Sequence, residues 1–206
     1  ATPTIRVDAC QAASRLSRGQ TFATPGLEHC ADELIVYLAQ TASLGLTFDG
    51  SLPDATVLTA QSDSDWAVGH STTGWAVWLA GAVIAFSCKR QACIASSSTE
   101  AELISASTCS LEVVFIRTLL RELGLEQGAT PLYVDNSGAV ELSRDRKSCH
   151  RSRHIDRRYF KVRELSATNE INVKSIPTAE NASDLLTKPL DPTTFFKHRK
   201  VLMNLP

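Results

Sequence analysis

The chain has one methionine, Met203, in 206 residues, and no Cys-x-x-Cys pair among its six cysteines. It contains no P-loop, no G-x-G-x-x-G and no G-x-S-x-G. Those absences argue against a phosphate-cradling nucleotide site, a dinucleotide fold and an elbow-type serine hydrolase. No apolar run approaches the roughly 18 residues of a membrane span, so no membrane partner is expected. The opening ATPTIRVDAC has no charged, then apolar, then small-residue layout, so no secretory signal is readable. The scattered Cys10, Cys30, Cys88, Cys93, Cys109 and Cys149 then read as free thiols of a reducing compartment rather than a disulfide framework. The expected location is intracellular, cytoplasmic or nuclear. A lone methionine near the end means a removed initiator or a piece of a longer translation product. Charge of one sign is also missing: the net is −1, with 43% hydrophobic and 21% charged residues. This is globular composition, neither disordered nor uniformly polybasic.

What is present changes character along the chain. Ile5, Ala9, Ala12, Ala13 and Leu16 recur at helical spacing, as do Leu27, Cys30, Ala31, Leu34, Ile35 and Leu38. Two helices are expected, split by Pro25-Gly26 and ended by Gly45, and they need a partner surface to fold on. GSLPDAT at 50–56 is a turn-rich joint, which places a helical segment at 1–54 and a second domain at 55–206. Strands are expected at 57–63, 73–80 and 82–88, the last two as a hairpin through Ala80-Gly81, with a further short strand at 92–95. A long amphipathic helix follows at 98–124. Then come a strand at 131–135, a short helix at 136–143, a charged helix near 152–166 and a strand at 170–176. Two helices close the chain near 180–188 and 192–203. Without the short 92–95 run, three strands followed by alternating helices and strands imply an α/β fold: one mixed five-stranded sheet with helices on its faces.

Carboxylates fall at the ends of these elements. Asp63 and Asp65 end the first strand in SDSDW, and Glu100 and Glu102 begin the long helix in SSTEAE. Asp135 ends the fourth strand in YVDN, and Asp184 begins a late helix in NASDLLTK. In open α/β sheets the site lies beyond the carboxyl ends of strands, and Asp63 and Asp135 reach that edge if their strands are parallel neighbours. Acids converging there need a hard cation, Mg²⁺ or Mn²⁺, to stay ionised together. A pair of such ions suits in-line phosphoryl displacement. Each acid also has a structural reading. Ser97-x-x-Glu100 and Thr99-x-x-Glu102 are both capping-box patterns. Asp135-Asn136 fits a helix cap or turn, Asp184 a first-turn acid, and Asp65 a loop. Asp63-x-Asp65 lacks the glycine and distal glutamate of a calcium loop.

Between Arg144 and Arg163 nine residues are Lys or Arg and two are Asp, a local charge of +7 that leaves −8 for the remainder. A basic face beside an acidic pocket suits a nucleic-acid backbone. The candidate contacts are Arg146, Lys147, Arg151, Arg153, His154, Arg157 and Arg158. Tyr159 and Phe160 are read as packing on the sheet. His150 and His154 lack a third metal ligand.

Taken together, SDSDWA, SSSTEAELISAS, LYVDNSGAVEL, SRHIDRRYFKVRE and IPTAENASDLLTKPL resemble the C-terminal ribonuclease H domain of copia-type LTR-retrotransposon Pol polyproteins. The segments TPTIRVDACQAASRLSRG and ELIVYLAQTASLGLTFDG resemble the last helices of the preceding reverse transcriptase. The resemblance implies a ribonuclease H-like fold and cleavage of the RNA strand of RNA–DNA hybrids. It implies an Asp-Glu-Asp-Asp set at Asp63, Glu102, Asp135 and Asp184 holding two Mg²⁺, with Mn²⁺ as a substitute. Glu100 is then the capping acid. The implied partners are the hybrid and the polymerase domain of the same polyprotein. Two departures stand out: the loop 175–181 has no histidine, and the polymerase's own fingers and palm are absent. The competing readings are an inactive nucleic-acid-binding relic and a structural fragment that needs the polymerase to fold.

Overall fold

The computed structural model describes residues 6–144 and 156–206. A five-stranded sheet runs in the order β3-β2-β1-β4-β5. The strands are β1 (Thr59–Asp65), β2 (Thr72–Leu79), β3 (Ala82–Arg90), β4 (Thr130–Val134) and β5 (Ile171–Ser175). The first three form an antiparallel meander. β4 lies parallel to β1 on one side and to β5 on the other. The β2–β3 hairpin turns at Ala80 and Gly81, whose φ angles of 51° and 84° are both positive. That is the handedness two-residue hairpins require, and Gly81 takes it without steric cost.

Period-two alternation along β2 assigns its side chains to two cores. Trp75 and Val77 join Leu103, Val113, Leu132, Val134, Val162 and Ile171 beneath α3 (Ser98–Glu122), α4 (Ser137–Arg144) and α5 (Asp156–Ala167). Ala76 and Trp78 face the other way, onto Leu185, Leu186, Leu202 and Met203. That second layer contains two short 3-10 turns, Thr178–Glu180 and Ala182–Leu186, followed by α6 (Pro192–Met203). Helical elements therefore cover both faces of a mixed sheet, as expected. α3 has 25 residues and is long and apolar enough to cross a membrane by length and composition alone. Here it is the central core helix, with Leu103, Ala106, Cys109 and Val113 at 0–1% exposure.

The leading segment packs on the second face. Val7 and Cys10 share the cluster of Trp78, Val83 and Cys88. Asp8 is buried and receives both Arg6 Nε and Nη2 at 2.9 Å and the Tyr37 hydroxyl at 2.5 Å. Burial alone would raise Asp8, but the bonds from Arg6 and Tyr37 hold it below the usual carboxylate value. α1 (Cys10–Arg18) begins after a 3-10 turn at Val7–Ala9, and α2 spans Pro25–Gln40. α2 buries none of its residues, and Ile35 and Val36 stand open to solvent. Among the described residues, none of its apolar side chains belongs to a buried core cluster.

Three local expectations differ from the structure. Residues 92–95 are a bend and irregular chain, not a strand; Cys93 and Ala95 pack on Ala101 and Ile104 without entering the ladder. Asp65 is the last residue of β1, paired with Thr72, rather than a loop residue. The late helix near 180–188 is a pair of 3-10 turns. Asn181 caps the second by accepting from Ser183 N at 3.2 Å.

Candidate metal centre

β1 and β4 are parallel, with Ser62 opposite Val134. One residue further along each strand lie Asp63 and Asp135. Both acids therefore leave the sheet at the same edge, the condition on which the sequence reading depended. Glu102 comes from the second turn of α3, whose start is fixed by Ser97 accepting from Glu100 N at 3.2 Å. One carboxylate oxygen from each of Asp63, Glu102 and Asp135 lies within 4.8 Å of the others.

The bland readings resolve residue by residue. Glu100 turns back to accept from Ser96 N at 2.7 Å and Ser96 Oγ at 2.6 Å, so it closes the helix start. Glu102 caps nothing: its Oε1 accepts from Ser64 N and Ser64 Oγ, both at 3.0 Å. Asn136, not Asp135, caps α4, accepting from Ala139 N at 3.1 Å. Asp184 lies outside the 4.8 Å group, and its Oδ2 sits 3.0 Å from Lys188 Nζ.

The turn that carries Asp184 is stitched to β1. Asn181 Nδ2 donates to Ser62 O at 3.0 Å, and Ala182 N to Gln61 Oε1 at 2.7 Å. Thr187 Oγ1 donates to Asp63 Oδ2. Gly74 on β2 lets the turn approach: a Cβ there would lie 2.5 Å from Thr187 Cγ2 and 2.9 Å from Leu186 Cβ.

The electrostatics are those of crowded buried acids. Burial and then Asp184 push Asp63 up to about 7, against the bond from Thr187 and the charge of Lys188. Burial, then Asp63 and Asp135, push Glu102 up to about 9, opposed by Ser64. Like charges this close favour protons or cations. Among the described residues no group bonds Glu102 Oε2 or Asp184 Oδ1, although both atoms are buried. An all-oxygen donor set with two orphaned buried oxygens fits a hard divalent ion such as Mg²⁺ or Mn²⁺.

Ser64, Asn181, Thr187 and Lys188 were not singled out by sequence. Of these only Lys188 had a usable signal, its i,i+4 spacing from Asp184. Of the basic contacts expected, Arg146, Lys147, Arg151, Arg153 and His154 lie outside the described residues. Arg157 and Arg158 fall in the first turn of α5.

Sheet order, helical layers and acid placement define a ribonuclease H-like fold. Ribonuclease H1 isolated from compost (LC11) superposes with a TM-score of 0.51 at 12% identity, covering 64% of this chain and 93% of that one. In sequence, the chain is 36% identical over 170 residues to the retrovirus-related Pol polyprotein of transposon TNT 1-94 from Nicotiana tabacum. It is 33% identical over 195 residues to that of transposon RE1 from Arabidopsis thaliana. These alignments cover 80% and 92% of this chain. The chain is thus a relative of plant-transposon Pol polyproteins, and it spans 13% of the length of those two. No family model matches it.

Proposed function

We propose that this chain is a metal-dependent ribonuclease H that hydrolyses the RNA strand of RNA–DNA hybrids during retrotransposon reverse transcription. The observation that carries this reading is the meeting of Asp63, Glu102 and Asp135 within 4.8 Å at the shared end of β1 and β4. Asp184 completes the set from the neighbouring turn. Residues 1–54 are the end of the reverse transcriptase, and 55–206 the nuclease domain. The polymerase domain of the same polyprotein is the natural partner, which places the reaction inside the cell.

Bound Mg²⁺ would supply activation of a water and stabilisation of the charge that develops on the leaving 3′ oxygen. The chain's own residues prepare for it. Asp63, Glu102 and Asp135 would present oxygens to the ions. Ser64 fixes Glu102 by two bonds to one oxygen, and among the described residues Oε2 is left buried without a bond. Thr187 fixes Asp63 by a single bond, to Oδ2. Selectivity for the RNA strand rests on its 2′-hydroxyls and on hybrid shape rather than base identity. Arg146, Lys147, Arg151, Arg153, His154, Arg157 and Arg158 are proposed to hold the DNA strand or flanking phosphates.

The test is Mg²⁺-dependent cleavage of a labelled RNA–DNA hybrid, with duplex DNA as control. Asp135→Asn should abolish cleavage while largely sparing hybrid binding. An Asp135→Asn protein that cuts at the wild-type rate would overturn the assignment.

A further inference from the structure

The fourth acid already has a cation. Asp184 Oδ2 lies 3.0 Å from Lys188 Nζ, the Asp184 side chain being 6% exposed and that of Lys188 35%. The pair is local, four residues apart, and Lys188 N also donates to Asp184 O at 3.2 Å. The backbone bond keeps the base of the Lys188 side chain beside the cluster, and its ammonium keeps a side open to water. The same positive charge acts on Asp63 and Asp135. Thr187, the preceding residue, holds Asp63. Two consecutive side chains thus engage two of the four acids.

Charge balance gives this arrangement a consequence. Once ion binding has displaced the protons that the crowded acids otherwise hold, four carboxylates and one ammonium carry three negative charges. One divalent ion reduces that to a single negative charge, and a second turns the site positive. Resting on the ribonuclease reading above, we propose that Lys188 is a tethered cation that occupies Asp184 in the free protein. The site then takes one divalent ion tightly at Asp63, Glu102 and Asp135, and a second only weakly until an anionic phosphodiester is present. Lys188 is a positioning residue: it acts through Asp184.

The test is a titration of the full chain with Mn²⁺ in the absence of nucleic acid, with free Mn²⁺ read by electron paramagnetic resonance. Wild type should bind one Mn²⁺ tightly. Lys188→Met should bind two, the second at least tenfold tighter than the wild-type second site, and Lys188→Arg should return to one. In EDTA, Lys188→Met should melt at a lower temperature than wild type and recover when Mn²⁺ is added. Two comparable sites in wild type, or superimposable wild-type and Lys188→Met isotherms, would overturn the role of Lys188 and leave the nuclease reading standing. The wild-type stoichiometry decides the matter even if Lys188→Met folds poorly. A wild-type chain that binds no Mn²⁺, or an Asp135→Asn chain that keeps the tight site, would remove both.

Discussion

Glu102→Gln separates the electrostatic cost of the acid cluster from its geometry. Glu102 is pushed up to about 9 from an ordinary value of 4.5. Between those two pH values the folded, metal-free chain holds a proton that the unfolded chain has released. Stability therefore falls as pH rises through that window, and the contribution is intact only below about 4.5. One such proton is worth about 1.4 kcal/mol per pH unit, so between pH 5.5 and 7.5 this group costs the wild type about 2–3 kcal/mol. Glutamine keeps an oxygen to accept from Ser64 N and Oγ, as Oε1 does now, and carries no titration. The raised Asp63 slopes both proteins alike and largely cancels in their difference. For a chain of this size each kcal/mol moves the midpoint by roughly 2–4 °C, so the gap in Tm between Glu102→Gln and wild type should widen by roughly 5–10 °C over that range. The assay is thermal unfolding by circular dichroism in EDTA at half-unit pH steps. Excess Mg²⁺ should flatten the wild-type curve, because it binds the folded chain selectively, and leave Glu102→Gln nearly unmoved. A gap that stays constant from pH 5.5 to 7.5 in EDTA would refute the reasoning.

Two other substitutions probe the supports of the site. Gly74→Ala drives a methyl into Thr187, Leu186 and Ser183 O, and should cost about 1–3 kcal/mol in urea unfolding. Because Thr187 and Asp184 move with that turn, Mn²⁺ affinity should fall as well; a Gly74→Ala chain equal to wild type in both would show that the close approach is not needed. Tyr37→Phe removes the hydroxyl that donates to Asp8 and accepts from Arg199 at 3.0 Å, at a cost of about 1–2 kcal/mol. Hybrid cleavage should be unaffected, since that network lies on the other face of the sheet from α3; unchanged stability would mean that Arg6 alone satisfies Asp8.

What was legible in the sequence is what local periodicity and punctuation encode. The β2 run, the Ala80-Gly81 turn, the long α3 and the ends of β1 and β4 are all written within a few residues of themselves. The same signals set Asp63 and Asp135 at element ends, but that their strands are parallel neighbours is shown only by the sheet itself. The choice between Glu100 and Glu102 was open on spacing alone, because both sit three residues after a Ser or Thr. It is settled by Ser96 reaching one and Ser64 the other. Bonds such as Asn181 to Ser62 and Thr187 to Asp63 join residues more than a hundred apart and leave no periodic trace. The 92–95 segment misled for a related reason: a short apolar run can fill a satellite cluster as readily as a strand.

Those long-range bonds explain how a chain tolerates so many acids in one place. Burying Asp63 and Glu102 without compensation would cost several kcal/mol each. Glu102 is met by Ser64 on the strand and Asp63 by Thr187 on the turn, while Lys188 sits beside Asp184. None of these donors satisfies every oxygen, and among the described residues Glu102 Oε2 and Asp184 Oδ1 are buried without a bond. A fold that only needed to be stable would close those gaps with apolar or neutral groups. Fixing the carboxylates firmly while leaving oxygens open is the arrangement a preorganised cation site requires: the protein bears the repulsion beforehand, and an arriving ion relieves it.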